Sequence, residues 1–161
     1  MIYLYGKGKR FQIVKDLLRQ NKINDKTVAI DKKSNFLKKI YNEKYFLEKY
    51  NYKNDFLIIT IANPDQKFKI FNRLSKIKKI KLFYTLISKS ATVKKGAIIS
   101  DGTVIMDQAY IGEKVKIHKN CAVGVSSLIS HDTTIKSFTE VSHKSKVAGN
   151  VKIGKKCFLG M

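Results

Sequence analysis

The chain has 161 residues and a formal net charge of +21 at pH 7, a length that suits one ordinary domain or two small ones. No apolar run approaches the roughly 18 residues of a membrane span, and the N-terminus lacks a signal-peptide pattern, so we expect a cytoplasmic protein without a membrane span. The lysines are spread along the chain without a helix-turn-helix, zinc or RNA-binding signature, so we expect a solvated surface with some lysines facing phosphate-bearing small molecules, and no specific nucleic-acid binding.

Residues 1–84 alternate predicted strands with predicted helices. Apolar stretches at 2–5, 28–31 and 56–61 are typical of buried strands, and amphipathic patterns follow the first and third of them. This alternation predicts a small α/β domain of Rossmann-like type, with a parallel sheet and a nucleotide-binding crevice at the strand ends.

The turn after the first strand contains Gly6 and Gly8, but Phe11 stands where a dinucleotide fingerprint has its last glycine, so full NAD binding is not expected. The turn either presents backbone N–H groups to a nucleotide phosphate or is a plain strand-to-helix turn. Asp31, at the end of the second strand, either accepts from a ribose hydroxyl or a base, or is an ordinary surface acid. Lys67, one turn into the helix that follows the single proline, is placed to reach a phosphate.

Residues 85–161 repeat with a period of six. Every sixth residue is a branched aliphatic: Ile87, Val93, Ile99, Ile105, Ile111, Ile117, Val123, Ile129, Ile135, Val141, Val147, Ile153 and Leu159. Four residues after each of the first twelve stands a small or slim residue: Ala91, Ala97, Thr103, Ala109, Val115, Cys121, Ser127, Thr133, Thr139, Ser145, Val151 and Cys157. A helix would need a period of 3.6 and an antiparallel sheet a period of two. The period therefore predicts a parallel β-helix of hexapeptide repeats, with three hexapeptides per coil. Because no capping helix follows Leu159, we expect either an incomplete C-terminal end or a partner that covers it.

Three histidines, His118, His131 and His143, lie in this repeat. Because residues eighteen apart stack, His131 should lie against Gly149 of the next coil, and the adjacent Asp132 can polarise or orient its imidazole. Acyl transfer from a thioester needs a base and an oxyanion donor, and a glycine N–H leaves room for the thioester. The alternative is a solvent-facing histidine beside an aspartate. His118 and His143 have no such stacked partners, and we interpret them as surface residues.

A zinc site on such a fold would need three converging histidines. The spacings of thirteen and twelve residues between His118, His131 and His143 put them on different sides of the β-helix. We therefore expect no metal.

Four segments carry a resemblance to a known family: Tyr-Leu-Tyr-Gly-Lys-Gly (3–8), Leu-Ile-Ser-Lys-Ser-Ala (86–91), Ser-Ser-Leu-Ile-Ser-His-Asp (126–132) and Val-Ala-Gly-Asn-Val-Lys-Ile-Gly-Lys-Lys-Cys-Phe-Leu-Gly (147–160). With them the chain resembles the bacterial sugar acetyltransferases over essentially its whole length. These include sialic acid O-acetyltransferases and N-acetyltransferases of UDP-4-amino-4,6-dideoxy sugars.

The resemblance implies that residues 1–84 bind a nucleotide sugar and that residues 85–161 form a left-handed β-helix, which binds acetyl-CoA between the subunits of a homotrimer. By position, His131 matches the catalytic base, Asp132 the adjacent acid and Gly149 the glycine whose amide contacts the acetyl carbonyl. Asp31 matches the acid that reads the uracil side of the nucleotide.

The chain also departs from the family pattern. Residues 9–11 replace Gly-His-Gly in the first loop, Lys32 replaces a second acid after the second strand, and Gly124 replaces an asparagine. Glu140 replaces a histidine nine residues after the base, and family members continue for several coils. By position we assign Lys32 to the nucleotide-sugar contacts and Glu140 to the acetyl-CoA contacts.

The function that the resemblance implies is acetyl-CoA-dependent N-acetylation of a nucleotide-activated amino sugar for glycan biosynthesis. The expected substrate is of the UDP-4-amino-4,6-dideoxy-N-acetylglucosamine type. The alternatives are O-acetylation of sialic acid or another sugar, and a truncated homologue without catalytic activity.

Overall fold

The structure is a computed structural model that describes residues 1–32 and 40–160. In its N-terminal half the elements are β1 (Ile2–Tyr5), α1 (Lys9–Gln20), β2 (Thr27–Ile30), β3 (Ile40–Tyr41), α2 (Glu43–Lys49), β4 (Phe56–Ile59) and α3 (Pro64–Ile77). The strands form one parallel sheet in the order β3-β2-β1-β4. The short β3 was not predicted, but the other three strands and the helices α1 and α3 were.

Local sequence explains where the helices begin. Asn42 and Asn63 cap α2 and α3, each accepting a hydrogen bond from the N–H three residues ahead at 2.9 Å, and Pro64 occupies the first turn of α3. Helix α1 differs, because it begins after Gly8 without a side-chain cap in the described part of the chain and without an acid in its first turn. Its first N–H groups are therefore available to an anion. None of the described helices has the length and apolar character needed to cross a membrane.

The C-terminal half consists of thirteen two-residue strands: β5 (Leu86–Ile87), β6 (Thr92–Val93), β7 (Ile98–Ile99), β8 (Val104–Ile105), β9 (Tyr110–Ile111), β10 (Lys116–Ile117), β11 (Ala122–Val123), β12 (Leu128–Ile129), β13 (Thr134–Ile135), β14 (Glu140–Val141), β15 (Lys146–Val147), β16 (Lys152–Ile153) and β17 (Phe158–Leu159). They form a prism with three parallel sheets. The first side holds β5, β8, β11, β14 and β17, the second side β6, β9, β12 and β15, and the third side β7, β10, β13 and β16. Paired residues are eighteen apart, as predicted. These repeated short parallel strands fit a left-handed β-helix.

The prism is filled by the aliphatic residues that the period predicted, and its central members are fully buried. Five of the small residues are Ser or Thr, and their hydroxyls would be costly to bury without partners. Each of these hydroxyls donates to the carbonyl oxygen fifteen residues ahead, at 2.7–2.9 Å: Thr103, Ser127, Thr133, Thr139 and Ser145. The interior polar groups thus bind successive coils together.

The corners of the prism use left-handed backbone at every sixth residue. Nine residues that are not glycine adopt φ angles of 55–63°: Gln108, Lys114, Asn120, Ser126, Asp132, Phe138, Lys144, Asn150 and Lys156. Gly96 and Gly102 take the equivalent position earlier in the chain. A left-handed conformation costs roughly 1–2 kcal/mol for a residue with a Cβ. The stacked array offsets this cost, and Asp132 of the predicted active site occupies one such corner.

The first side of the prism packs against the N-terminal half. Its outward residues Leu86, Val104 and Ala122 share one apolar cluster with β1 and α1. Phe138 lies against Phe68 and Phe71 of α3, with ring centroids 5.3 and 5.6 Å apart. This contact fixes where the sheet ends meet the prism.

Candidate active site

A cleft of about 500 Å³ lies at the carboxyl ends of β1, β2 and β4, and we call it the sheet-end cleft. Gly6, Gly8 and Asp31 line it together, as the sequence predicted. The start of α1 lies at the same place, so backbone N–H groups and the positive end of the helix face the cleft. The geometry suits an anionic ligand such as a phosphate.

The two glycines of the turn have different roles. Gly6 has a φ of +108°, and a Cβ there would lie 2.9 Å from Ile61 Cγ1 and 3.1 Å from Thr60 Oγ1. At Gly8 a Cβ would meet no atom of the described residues within 4 Å. The fold therefore requires glycine at position 6, whereas position 8 keeps open space in front of the helix.

Lys32 lies in a second cleft of about 350 Å³, which adjoins the sheet-end cleft at Asp31. The wall of this second cleft includes Tyr5 and Arg73, and both bind the carboxylate of Glu43. Burial, together with the Glu43 carboxylate, raises the pKa of the Tyr5 hydroxyl, which therefore stays protonated. Asp31 therefore lines both clefts, and Lys32 lines the second cleft.

Lys67 and Glu140 lie away from the positions that the sequence predicted. The Lys67 side chain is 3% exposed, with its Nζ 3.5 Å from Glu140 Oε2 and donating to the carbonyl oxygen of Asn120 at 3.4 Å. Both carboxylate oxygens of Glu140 also bind Arg10. Burial lowers the pKa of Lys67, and the Glu140 charge opposes that shift. This buried ion cluster lies between α1, α3 and the first side of the prism. The predictions that Lys67 contacts phosphate and that Glu140 contacts acetyl-CoA are therefore corrected.

His131 and Asp132 form a hydrogen-bonded pair at the corner after β12. The distance between His131 Nδ1 and Asp132 Oδ2 is 2.9 Å. Because an ionised carboxylate only accepts, Nδ1 carries the hydrogen of this bond, and in the neutral imidazole the lone pair is then on Nε2. The imidazole is 57% exposed, so a substrate can reach Nε2.

Gly149 lies against this imidazole, as the eighteen-residue stacking predicted. A Cβ at position 149 would lie 2.6 Å from His131 Nε2 and 2.7 Å from His131 Cε1. Within residues 1–32 and 40–160, none of the hydrogen bonds uses the Gly149 N–H. The corner therefore combines a free base, an orienting carboxylate and an unused backbone donor.

The other two histidines differ from each other. Burial, with three nearby lysines, lowers the pKa of His118 and favours its neutral form. His143 lines the sheet-end cleft, and its Nδ1 accepts a hydrogen bond from the Val125 N–H at 2.9 Å. His143 is exposed, as the interpretation as a surface residue predicted, although the backbone of Val125, eighteen residues earlier, binds its ring. Arg10, Asn63 and Gln66 also line the cleft and were not predicted.

In the described part of the chain, no cluster of three or more His, Cys, Asp or Glu side chains could hold a metal ion.

No protein-family model matches the chain. Solved structures do resemble it, among them the acetyltransferase domain of PglB from Neisseria gonorrhoeae FA1090, with a TM-score of 0.86 and 20% identity over 98% of this chain and 78% of that one. The same domain has been solved in complex with acetyl coenzyme A, and this chain superposes on it with a TM-score of 0.85 and 20% identity, over 98% of this chain and 77% of that one.

A mutant of GDP-perosamine N-acetyltransferase from Caulobacter crescentus, in complex with CoA and GDP-perosamine, gives a TM-score of 0.84. Its identity is 18%, over 99% of this chain and 77% of that one. Two of these neighbours are acetyltransferase domains and the third is a GDP-perosamine N-acetyltransferase, and at such identities they show that the chain shares their fold. The resemblance stated from the sequence is thereby confirmed for the fold.

Proposed function

We propose that the protein is an acetyl-CoA-dependent N-acetyltransferase that acts on a nucleotide-activated amino sugar in glycan biosynthesis, with a UDP-4-amino-4,6-dideoxy sugar as substrate. The observation that carries the proposal is the His131 corner, where a base, its orienting Asp132 and the Gly149 N–H meet. The ligands named for the neighbours, acetyl coenzyme A, CoA and GDP-perosamine, support both substrate classes.

The proposed reaction uses these three groups in two steps, addition and breakdown of a tetrahedral intermediate. The sugar amine attacks the thioester carbonyl while His131 Nε2 accepts the amine proton. The Gly149 N–H donates to the oxygen that becomes negative in the tetrahedral intermediate. The carbon–sulfur bond then breaks, and the proton passes from His131 to the CoA thiolate. Asp132 orients the imidazole and stabilises its charged form during the step.

The N-terminal half is proposed to bind the nucleotide. Its strand order, 3-2-1-4, is that of the first four strands of a doubly wound nucleotide-binding fold. The open N-terminus of α1 favours the diphosphate, and Asp31 and Lys32 are proposed to contact the nucleoside and its surroundings. Residues 1–84 and 85–161 remain our proposed domains.

We further infer a homotrimer in which acetyl-CoA binds between neighbouring prisms. Two observations support this inference. Neither His131 nor Asp132 lines the sheet-end cleft of its own chain. In addition, Tyr110 and Leu128 stack outward on the second side and are 36% and 38% exposed, so a neighbouring prism would cover apolar surface.

The deciding experiment is an assay with acetyl-CoA that follows release of the free thiol. Turnover with a UDP-4-amino-4,6-dideoxy sugar, exceeding that with a GDP-linked amino sugar or sialic acid, is the expected result. Turnover only with sialic acid would favour O-acetylation instead. Absence of turnover with every acceptor, in a protein that still binds UDP, would favour the non-catalytic alternative.

Replacing Asp31 by alanine should weaken UDP binding about tenfold, as expected for loss of a charged hydrogen bond. Affinity for inorganic diphosphate should not fall, because Asp31 is proposed to contact the nucleoside and not the phosphates. Calorimetry measures both affinities. Asp25→Ala is the matched control, since Asp25 is exposed and lies outside the cleft. Equal loss of UDP and diphosphate binding in Asp31→Ala would contradict the assignment.

Replacing Gly149 by alanine should reduce kcat about a hundredfold or more while the fold is kept, because the new methyl group would displace the imidazole and block the oxyanion donor. Gly154→Ala is the control, because among the described residues a Cβ there meets only Cys157 Sγ, at 3.6 Å. Steady-state kinetics and a thermal unfolding curve of both variants separate activity from stability. Normal kcat in Gly149→Ala would remove Gly149 from the site.

A further inference from the structure

His143 belongs to the prism but reaches the ligand-binding edge of the N-terminal sheet. It follows β14 on the first side, which packs against the N-terminal half. Among the described residues that line the sheet-end cleft, His143 alone comes from the prism. A ligand in the cleft would therefore be held by both halves of the chain.

The hydrogen bond to Val125 determines the chemistry of this imidazole. The Val125 N–H donates to His143 Nδ1 at 2.9 Å, so Nδ1 must present a lone pair. In the neutral ring the hydrogen then resides on Nε2, and Nε2 is the only ring nitrogen left for a ligand. The backbone of the prism also limits rotation of the ring. His143 is thus a fixed donor that can face an oxygen but cannot accept from an ammonium group.

The other cationic and N–H groups of the sheet-end cleft belong to the N-terminal half of the chain. The Arg10 guanidinium lines the cleft but is already engaged, because it binds both carboxylate oxygens of the buried Glu140. The remaining donors near α1 are its first backbone N–H groups and the side chains of Lys7 and Lys9. All of these lie on the N-terminal half. His143 supplies a donor from the opposite, prism side.

We propose that His143 is a substrate-binding residue whose Nε2–H donates a hydrogen bond to an oxygen of the nucleotide diphosphate. The proposal rests on the proposed function, because it places a nucleotide sugar in the sheet-end cleft. Since the donor rejects a cationic amine, the amino group of the sugar is directed away from His143. The prism side of the cleft thereby selects the oxygen-rich diphosphate and not the reacting nitrogen.

Calorimetry with UDP and with uridine tests the proposal. His143→Ala should weaken UDP binding about tenfold and leave uridine binding unchanged, because only UDP carries the diphosphate. His143→Gln should keep most of the UDP affinity, since its amide can donate at a similar reach. His118→Ala is the matched control, because His118 is a prism histidine outside the cleft. In nitrogen NMR spectra of the free protein, His143 should show the tautomer with hydrogen on Nε2.

The outcomes separate this inference from the proposed function. Unchanged UDP affinity in His143→Ala, with UDP affinity lowered in Asp31→Ala, would overturn the role of His143 alone. Equal losses of UDP and uridine affinity in His143→Ala would show a purely structural role and also overturn it. A tautomer with hydrogen on Nδ1 would contradict the donor argument. Absence of UDP binding to the unmodified protein would instead overturn the nucleotide-sugar function itself.

Discussion

The His131→Ala variant is expected to lose two to four orders of magnitude in kcat, roughly the contribution of a positioned general base. The imidazole is 57% exposed, and among residues 1–32 and 40–160 it hydrogen-bonds only to Asp132. Its removal should therefore change the free energy of unfolding by no more than about 0.5 kcal/mol. Release of the free thiol from acetyl-CoA, measured with saturating acceptor, gives kcat directly.

The matched control is His118→Ala, which removes another prism histidine that has no part in the proposed reaction. Its kcat should equal that of the unmodified protein. The kcat of Asp132→Asn should lie between those of His131→Ala and His118→Ala. An asparagine can still hydrogen-bond to the His131 ring but can no longer stabilise its positive charge. If His131→Ala turned over acetyl-CoA at the unmodified rate, the base would have to be another group.

The second large effect is on stability. Glu140→Ala should lower the free energy of unfolding by about 3–5 kcal/mol, because it leaves the charges of Arg10 and Lys67 buried without their partner. Urea unfolding at neutral pH measures the change. Glu48→Ala is the control, since Glu48 pairs with Lys44 on an exposed helix face, where an ion pair contributes about 0–1 kcal/mol.

The pH dependence of this loss has a definite sign. Burial lowers the pKa of Lys67 below its unfolded value of 10.5, and removal of Glu140 lowers it further. At a pH below the pKa of Lys67 in the folded protein, Lys67 is protonated in both the folded and the unfolded state. The full cost of burying its charge then lowers the free energy of unfolding. As pH rises towards 10.5 the folded state releases the proton first, so stability rises. The difference between Glu140→Ala and the unmodified protein should therefore shrink at alkaline pH. A loss that is independent of pH would assign the effect to Arg10 alone.

The prism could be predicted from the sequence because its rule is local and repeated. Each aliphatic residue and each small residue has the same neighbours in every coil, so a spacing of six also specifies the stacking of His131 on Gly149. The parallel sheet could also be predicted from local patterns, because apolar strand segments alternate with helix signals along the chain. The strand β3 was missed, since two residues at Ile40–Tyr41 form too short a pattern.

The contacts between the halves could not be predicted in this way. In the sequence, Lys67 lies in the first turns of α3, where a lysine is usually exposed. Only the packing of α3 on the prism shows that Lys67 is buried with Glu140. A signal was nevertheless present in the residues that precede the aliphatic positions. On the first side they include Leu86, Val104 and Ala122, whereas those on the third side include Lys116 and Lys152. That contrast distinguishes the first side from the third, but the second side also has Tyr110 and Leu128 at these positions, so only the structure shows which side is covered.

The three-sided stacking of the prism also limits how its length can change during evolution. Insertion or loss of one hexapeptide between His131 and Gly149 would turn every later residue onto a neighbouring side and separate the base from its glycine. A change of eighteen residues returns each later residue to its own side. Descendants of this chain should therefore differ in prism length by whole coils, with shorter changes confined to bulges at the corners.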